Sequence, residues 1–386
     1  MSPASIDGVR WQILEIPFKV GFRHASAERV ETSSLWIEAS SETGTTGYGE
    51  GCPRPYVTGE TLETARAFVA RHEAGLRDAV GDLASLRLWM AAHAGELDAN
   101  PAAWCGLELA CLDLLARLRG QTVEALLSLP PLRGPFRYSA VLGDAEPEVF
   151  EVMAERYRQH GFTDFKIKLS GTLERDRQKI DVLRRWPADA CRLRVDANNL
   201  WDRADEAVAF LRALEYPLFA VEEPLRANQY QDLARVAASL DCRIVLDESL
   251  LRVDQLARLP DAPGRWLINV RVSKMGGLLR SLALVEAARA AGLDLIVGAQ
   301  VGETSLLTRA ALTVASAAGG NLVAQEGAFG TWLLERDVCD PPLMFGAASV
   351  LDIARYSWLQ MSGFGLVLAP IWTRPPGRPP RRRARR

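Results

Sequence analysis

Histidine is scarce: His24, His72, His93 and His160 are the only four in 386 residues. None ends an apolar run of strand length, so imidazole is not the expected proton carrier. The six cysteines, Cys52, Cys105, Cys111, Cys191, Cys242 and Cys339, form no C-x-x-C pair and no metal-ligand spacing. Most lie in apolar runs, where a thiol packs as a small hydrophobe. No run reaches 18 apolar residues, and residues 1–20 lack a charged start followed by a long apolar stretch. No membrane partner is therefore expected, and the expected location is cytoplasmic. A net charge of −2 argues against a nucleic-acid partner.

Positive charge is concentrated at one end. Arg374-Pro375-Pro376-Gly377-Arg378-Pro379-Pro380-Arg381-Arg382-Arg383-Ala384-Arg385-Arg386 holds seven arginines and no acid, leaving −9 for the rest. Such a Pro- and Arg-rich stretch cannot bury a core, so 374–386 is expected to be a disordered solvated tail, with an anionic tether as the alternative.

The length suits a barrel of about 250 residues plus an added domain. Strand-like patterns at 11–16, 33–39 and 44–51 precede stretches at 61–72, 83–94 and 102–119 whose apolar residues recur at three- and four-residue steps. Together they predict an α+β domain over 1–125. Its polar, glycine-bearing loops at 18–29 and 53–60 offer Arg23, His24 and Tyr56 as substrate contacts, against the plainer reading of exposed hairpin side chains. From Phe136 short apolar runs alternate with amphipathic helices, the pattern of βαβ units. Eight such runs, the sixth at 267–272, predict a (β/α)8-type barrel over 126–344. The segment 345–370 is expected to return to the first domain.

Polar residues end these runs at a nearly constant step. Asp196 follows Lys168 by 28 residues, Glu222 comes 26 later, Asp247 25 later and Lys274 27 later. One strand-helix unit takes roughly 30 residues, and barrel enzymes carry their chemistry at the carboxyl ends of the strands. Three acids and the lysines Lys166, Lys168 and Lys274 are thus predicted to share one mouth. A single acid there reads as a helix N-cap; three from consecutive strands cannot converge without a cation. An all-oxygen donor set suits Mg2+, with Mn2+ as a substitute. Asn198 is placed on the same face as Asp196. Lys166 and Lys168 share a face, and burial beside another cation would favour the neutral amine that a base requires. Lys274, four strands round, would serve the opposite face of a planar intermediate. A Schiff-base lysine is the rival enzyme reading, but it needs no convergent acids.

Lys166-x-Lys168, Asp196-x-Asn198, Val221-Glu222-Glu223-Pro224, Asp247-Glu248-Ser249 and Lys274 resemble, in order, the active-site series of the enolase superfamily, muconate lactonizing enzyme subgroup. Phe22-Arg23-His24, Gly47-Tyr48-Gly49-Glu50 and Val57-Thr58-Gly59-Glu60-Thr61 resemble its capping domain, and Gly363-Phe364-Gly365-Leu366 its closing segment. The resemblance implies Mg2+ on Asp196, Glu222 and Asp247, Lys168 and Lys274 as opposed acid/base groups, and Lys166 as the partner of Lys168. It implies abstraction of a proton next to a carboxylate through an enediolate. The expected reaction is racemisation or epimerisation of a small carboxylate, with cycloisomerisation, β-elimination or a silent metabolite-binding barrel as alternatives. A homo-oligomer is expected. Dipeptide epimerases of the subgroup carry Asp-x-Asp after the eighth strand, where this chain has Gln325-Glu326-Gly327. Gln300 and Glu303, after the seventh, complete the expected substrate contacts; Glu303 resembles an acid of cycloisomerases and succinylbenzoate synthases, with helix-start chemistry as the competing reading.

Overall fold

The computed structural model describes residues 6–24, 27–187 and 191–370. The arginine-rich stretch at 374–386 lies outside them. The chain opens with β1 (Ile6–Leu14), a hairpin of β2 (Pro17–His24) and β3 (Ala27–Glu31), then β4 (Ser34–Ser41) and β5 (Thr46–Gly51). Strands β1, β4 and β5 form an antiparallel sheet in that order, while β2 and β3 pair with each other and Phe18 of β2 bridges to Leu334.

Helices α1 (Leu62–Ala79), α2 (Leu83–Ala92), α3 (Ala94–Ala99), α4 (Pro101–Leu118) and α5 (Val123–Leu126) follow. Thr61 and Asp82 begin α1 and α2 with reciprocal bonds to Thr64 and Ser85, which satisfy backbone donors that a helix start leaves open. Pro101 opens α4, and the Glu60 carboxylate accepts from Ala102 N and Ala103 N at 2.7 and 3.0 Å. Helix α4 lies directly on β5 because that strand presents Gly47, Gly49 and Gly51 to it. A Cβ on Gly49 would fall 1.9 Å from Gly106 O, and one on Gly51 2.0 Å from Ala102 O.

The remaining chain builds an eight-stranded parallel sheet. After the short β6 (Phe136–Arg137) come β7 (Ala140–Leu142), β8 (Asp164–Lys168), β9 (Arg192–Asp196), β10 (Ala220–Glu222), β11 (Arg243–Leu246), β12 (Trp266–Val270), β13 (Asp294–Val297) and β14 (Leu322–Gln325). Between them lie α6 (Pro147–Gln159), α7 (Leu173–Arg184), α8 (Ala204–Ala213), α9 (Tyr230–Leu240), the single turn α10 (Val272–Met275), α11 (Leu278–Ala290) and α12 (Ser305–Ala318). Ser139 N donates to Gln325 O at 2.7 Å, and Gln325 Nε2 to Tyr138 Oη at 2.9 Å, joining the last strand to the first. Inside, Ala220, Val245, Leu267, Ile296 and Ala324 form a separate apolar cluster, so the barrel is filled. The fold is a (β/α)8-type barrel with an N-terminal α+β cap. Among the described residues no helix is long and apolar enough to cross a membrane.

β15 (Val350–Leu351) pairs with β6 across the barrel's edge. Beyond it, Phe364 N donates to Asp113 of α4 at 2.6 Å, and Arg309 of α12 donates to Phe364 O at 3.0 Å. One difference from the sequence reading matters for the site. The sixth barrel strand ends at Val270, not 272, and the chain turns at once into α10.

Candidate active site

Parallel pairing sets Lys168 opposite Asp196 and Asp196 opposite Glu222, so three strand-ending residues occupy one rung of the mouth. Strand alternation adds Lys166 on the same face as Lys168. All four are at most 6 % exposed. Lys168 Nζ lies 2.5 Å from Asp196 Oδ2 and 3.1 Å from Asn198 Oδ1. Lys166 Nζ lies 3.0 Å from Glu222 Oε2, 3.6 Å from Asp196 Oδ2 and 2.7 Å from Glu326 Oε2. Burial opposes the Lys166 ammonium, but Glu222, Glu326 and Asp196 outweigh it and hold the group above the usual lysine range. The expected mutual depression of the two lysines therefore does not describe Lys166, because a third acid joins it. That acid, Glu326, also receives Arg194 Nη1 at 2.6 Å.

Asp196, Glu222 and Asp247 are at most 1 % exposed. Burial pushes Asp196 up, with Glu222 beside it; Glu222 is also buried, yet Lys166 and Arg271 hold it well below the usual carboxylate range. Asp247 Oδ2 faces the Arg271 guanidinium. Three buried carboxylates, with neither sulfur nor imidazole among them, are a donor set that suits a hard divalent cation. Glu223, just past Glu222, turns away at φ 40°. Its carboxylate accepts from Asp247 N, Ser249 N and Ser249 Oγ, each at 2.7 Å, and so fixes the loop that carries Asp247. Asn198 sits at φ 47°, not in extended backbone, yet its side chain still reaches Lys168.

Lys274 is placed differently from the sequence expectation. Its Nζ donates to Asp247 O at 2.8 Å, Asn269 O at 2.6 Å and Leu250 O at 3.3 Å, and to Asp247 Oδ1 at 2.9 Å. The turn of α10 draws it back into this cage, and it does not line the mouth cavity. Arg271 does. Its Nη2 pairs with Asp247 and lies 3.3 Å from Glu222 Oε1, and its Nη1 lies 3.2 Å from Gln300 Oε1. Burial lowers the Lys274 ammonium below the usual lysine range despite Asp247, whereas acids hold the buried Arg271 guanidinium up.

The cavity above these groups is lined by Lys166, Lys168, Asn198, Glu248, Arg271, Gln300 and Glu326, and by an apolar wall that includes Phe22, Tyr56, Val141, Met153, Phe329 and Trp332. Tyr56 and Gln300 thus reach it. Arg23 does not line it; its guanidinium turns to Asp144 O at 3.2 Å and lies 3.7 Å from that residue's carboxylate and 3.6 Å from Glu146. The side chain of His24 lies outside the described residues. Glu303 also stays behind the wall, accepting from Gln300 N at 2.7 Å, with burial raising it to about 8. Thr304 caps α12, as the helix-start alternative anticipated. Sequence reasoning passed over Arg271 and Glu326. Glu326 comes one residue after Gln325, the first polar residue past the eighth apolar run, so the strand-end rule stops one place short of it.

The sequence profile of the family described as Enolase C-terminal domain-like matches residues 148–352. The chain is 30 % identical over 363 residues to the L-Lys-D/L-Arg epimerase of Methylococcus capsulatus, covering 91 % of this chain and 94 % of that one. It is 24 % identical to the chloromuconate cycloisomerase of Cupriavidus pinatubonensis, covering 86 % and 90 %. Among solved structures, a dipeptide epimerase from Methylococcus capsulatus complexed with Mg and the dipeptide L-Arg-D-Lys is 27 % identical, with a TM-score of 0.79 over 94 % of this chain and 99 % of that one. The chain belongs to the Enolase C-terminal domain-like family, and it is an enzyme of the enolase superfamily whose chemistry starts by removing a proton next to a carboxylate.

Proposed function

We propose that the chain is a Mg2+-dependent racemase or epimerase of a small carboxylate, with Mn2+ as a substitute ion. The observation that carries this reading is the meeting of Lys166 and Lys168 with Asp196 and Glu222 at the buried mouth ends of three neighbouring strands, beneath a largely apolar cavity. Asp196, Glu222 and Asp247 would hold the ion, which when bound supplies a fixed positive charge that acidifies the α carbon. Lys168, steadied by Asp196 and Asn198, is the base for one face. Lys166, surrounded by three carboxylates, stays charged and orients its neighbours. Negative charge that develops on the substrate's carboxylate is met by Lys166 and Arg271, in a wall that excludes water. The second face lies towards the sixth strand, where Arg271 faces the cavity and Lys274 is held behind it. In the racemase reading Lys274 moves the second proton, and Arg271 contributes its charge.

That placement supports a second reading, a one-base cycloisomerase. A guanidinium is not deprotonated in proteins, so Arg271 acts there through charge alone. Because Glu326 is committed to Lys166 and Arg194, it is a poor partner for a dipeptide's free ammonium group. N-acylated amino acids therefore belong beside dipeptides in the substrate panel. Solvent-deuterium exchange at the α carbon, with and without Mg2+, tests the reading. Exchange into both configurations supports the racemase; exchange into one alone supports the one-base reading. Exchange into no member of a broad panel overturns both and favours a metabolite-binding barrel.

A further inference from the structure

Two of the four histidines meet away from the barrel mouth. His72 on α1, His93 between α2 and α3, and Glu96 on α3 bring one candidate ligand atom each within 4.8 Å of one another. His72 is buried, and its Nε2 lies 2.9 Å from Glu96 Oε2. His93 Nδ1 lies 2.8 Å from the carbonyl oxygen of Trp89. A carbonyl only accepts, so Nδ1 carries the proton and Nε2 keeps the lone pair. A bond of this kind, from the far nitrogen to a fixed acceptor, is what orients a metal-binding imidazole. Trp89 stacks on His93 at 3.9 Å and meets His72 edge-on at 5.5 Å, so both rings are held in place.

A lone His72–Glu96 hydrogen bond would account for two of these residues. His93, stacked on Trp89, adds a second imidazole within ligand reach of both. We propose that His72, His93 and Glu96 form a binding site for a borderline divalent ion of the Zn2+ type, with the fourth position open to solvent. Two imidazoles and one carboxylate are a donor set that Zn2+ takes in tetrahedral sites. Ligands at about 2.0–2.2 Å from the ion stand roughly 3.4 Å apart, so His72 Nε2 and Glu96 Oε2, now 2.9 Å apart, must open by about half an ångström while His93 closes up from within 4.8 Å. Glu96, with its side chain 45 % exposed, supplies that movement. Arg71, 3.8 Å from Glu96, is 70 % exposed and swings aside. Occupied, the site clasps α1 to the α2–α3 junction. It differs in kind from the barrel's all-oxygen set, so Mg2+ and the transition ion sort to separate places.

The test is a titration of the full chain, saturated with Mg2+, with Zn2+ and then with Co2+ as a coloured probe. One equivalent of Zn2+, a visible Co2+ spectrum of the four-coordinate kind and a rise of a few degrees in Tm are expected. His93→Ala and Glu96→Gln should each weaken binding at least tenfold while leaving Mg2+-dependent exchange unchanged. Repeating the titration in Glu222→Gln removes any contribution from the barrel carboxylates. If no equivalent binds, or if it survives both Glu96→Gln and His93→Ala undiminished, the proposal falls. Glu96 is exposed, so its variant keeps the test available should His93→Ala misfold.

Discussion

Replacing Lys274 with Met keeps most of the side chain's stem and removes the ammonium. In the structure that ammonium satisfies three buried carbonyls and one oxygen of Asp247, with no contact to the cavity. Breaking a buried ion pair by removing one partner costs about 3–5 kcal/mol, and each carbonyl left without a donor adds about 1 kcal/mol or more. Arg271 remains to share the charge of Asp247, which places the expected loss near the lower end, at about 3 kcal/mol. For a chain of this size that is a fall in Tm of about 4 °C. Calorimetry measures it, and deuterium exchange on the folded fraction follows the chemistry. Lys274→Met should melt early yet retain the exchange that Lys168 drives. Arg271→Met should instead slow exchange by about a hundred- to a thousandfold, the scale of a lost electrostatic stabiliser. A Lys274→Met protein with unchanged Tm would refute the caging argument. If that protein had also lost exchange into one configuration, Lys274 would be the second-face base of a racemase.

Three further outcomes are expected. Glu222→Gln should lose Mg2+ binding, or weaken it strongly, with the fold intact; unchanged affinity by calorimetry would remove Glu222 from the metal site. Burial raises Glu50 to about 7 from an ordinary 4.5, so between those values the fold holds a proton that the unfolded chain has released, and stability falls as pH rises through that window. Glu50→Gln should abolish that part of the slope, worth about 3 kcal/mol; parallel urea midpoints for the two proteins at pH 5 and pH 8 would contradict it. Gly49→Ala should destabilise by about 1–3 kcal/mol, since its Cβ would fall on the backbone of α4; an unchanged melting curve would mean that the helix can lift without cost.

The barrel and most of its site were legible because the same physics repeats in every unit. A parallel strand buried on both faces reads as an apolar run, and the first polar residue beyond it falls at the mouth, as Lys168, Asp196, Glu222 and Asp247 do. The end of the sixth strand was harder to read. Val270-Arg271-Val272 continues the alternation past the point where hydrogen bonding stops, so the strand looked longer and Lys274 looked like its tip. The available signal was Gly276-Gly277, at φ 80° and 100°, which marks a turn tight enough to pull Lys274 inward. The surroundings of Arg23 were hidden for another reason: nothing local to β2 discloses that its guanidinium meets Asp144, 121 residues away. The three-residue cluster on the cap was equally hidden, because its members gain meaning only when separate helices pack.

The bare face of β5 has a consequence for how substrate gets in. With backbone pressed on backbone, α4 cannot slide over the sheet, and its far side is pinned to the barrel where Leu279 N donates to Glu108 at 3.0 Å. Sheet, helix and barrel therefore act as a fixed doorframe. The β2–β3 hairpin, which carries Val20, Gly21 and Phe22 over the cavity, is the leaf hung within it. Its latches are two backbone bonds, Lys19 N to Leu333 O at 2.8 Å and Asp144 N to Arg23 O at 2.9 Å, together with the Arg23 contacts. Arg23 thus ties the hairpin to the barrel loop that carries Asp144, and the part of the cavity wall built by Val20, Gly21 and Phe22 depends on contacts far from the lysines.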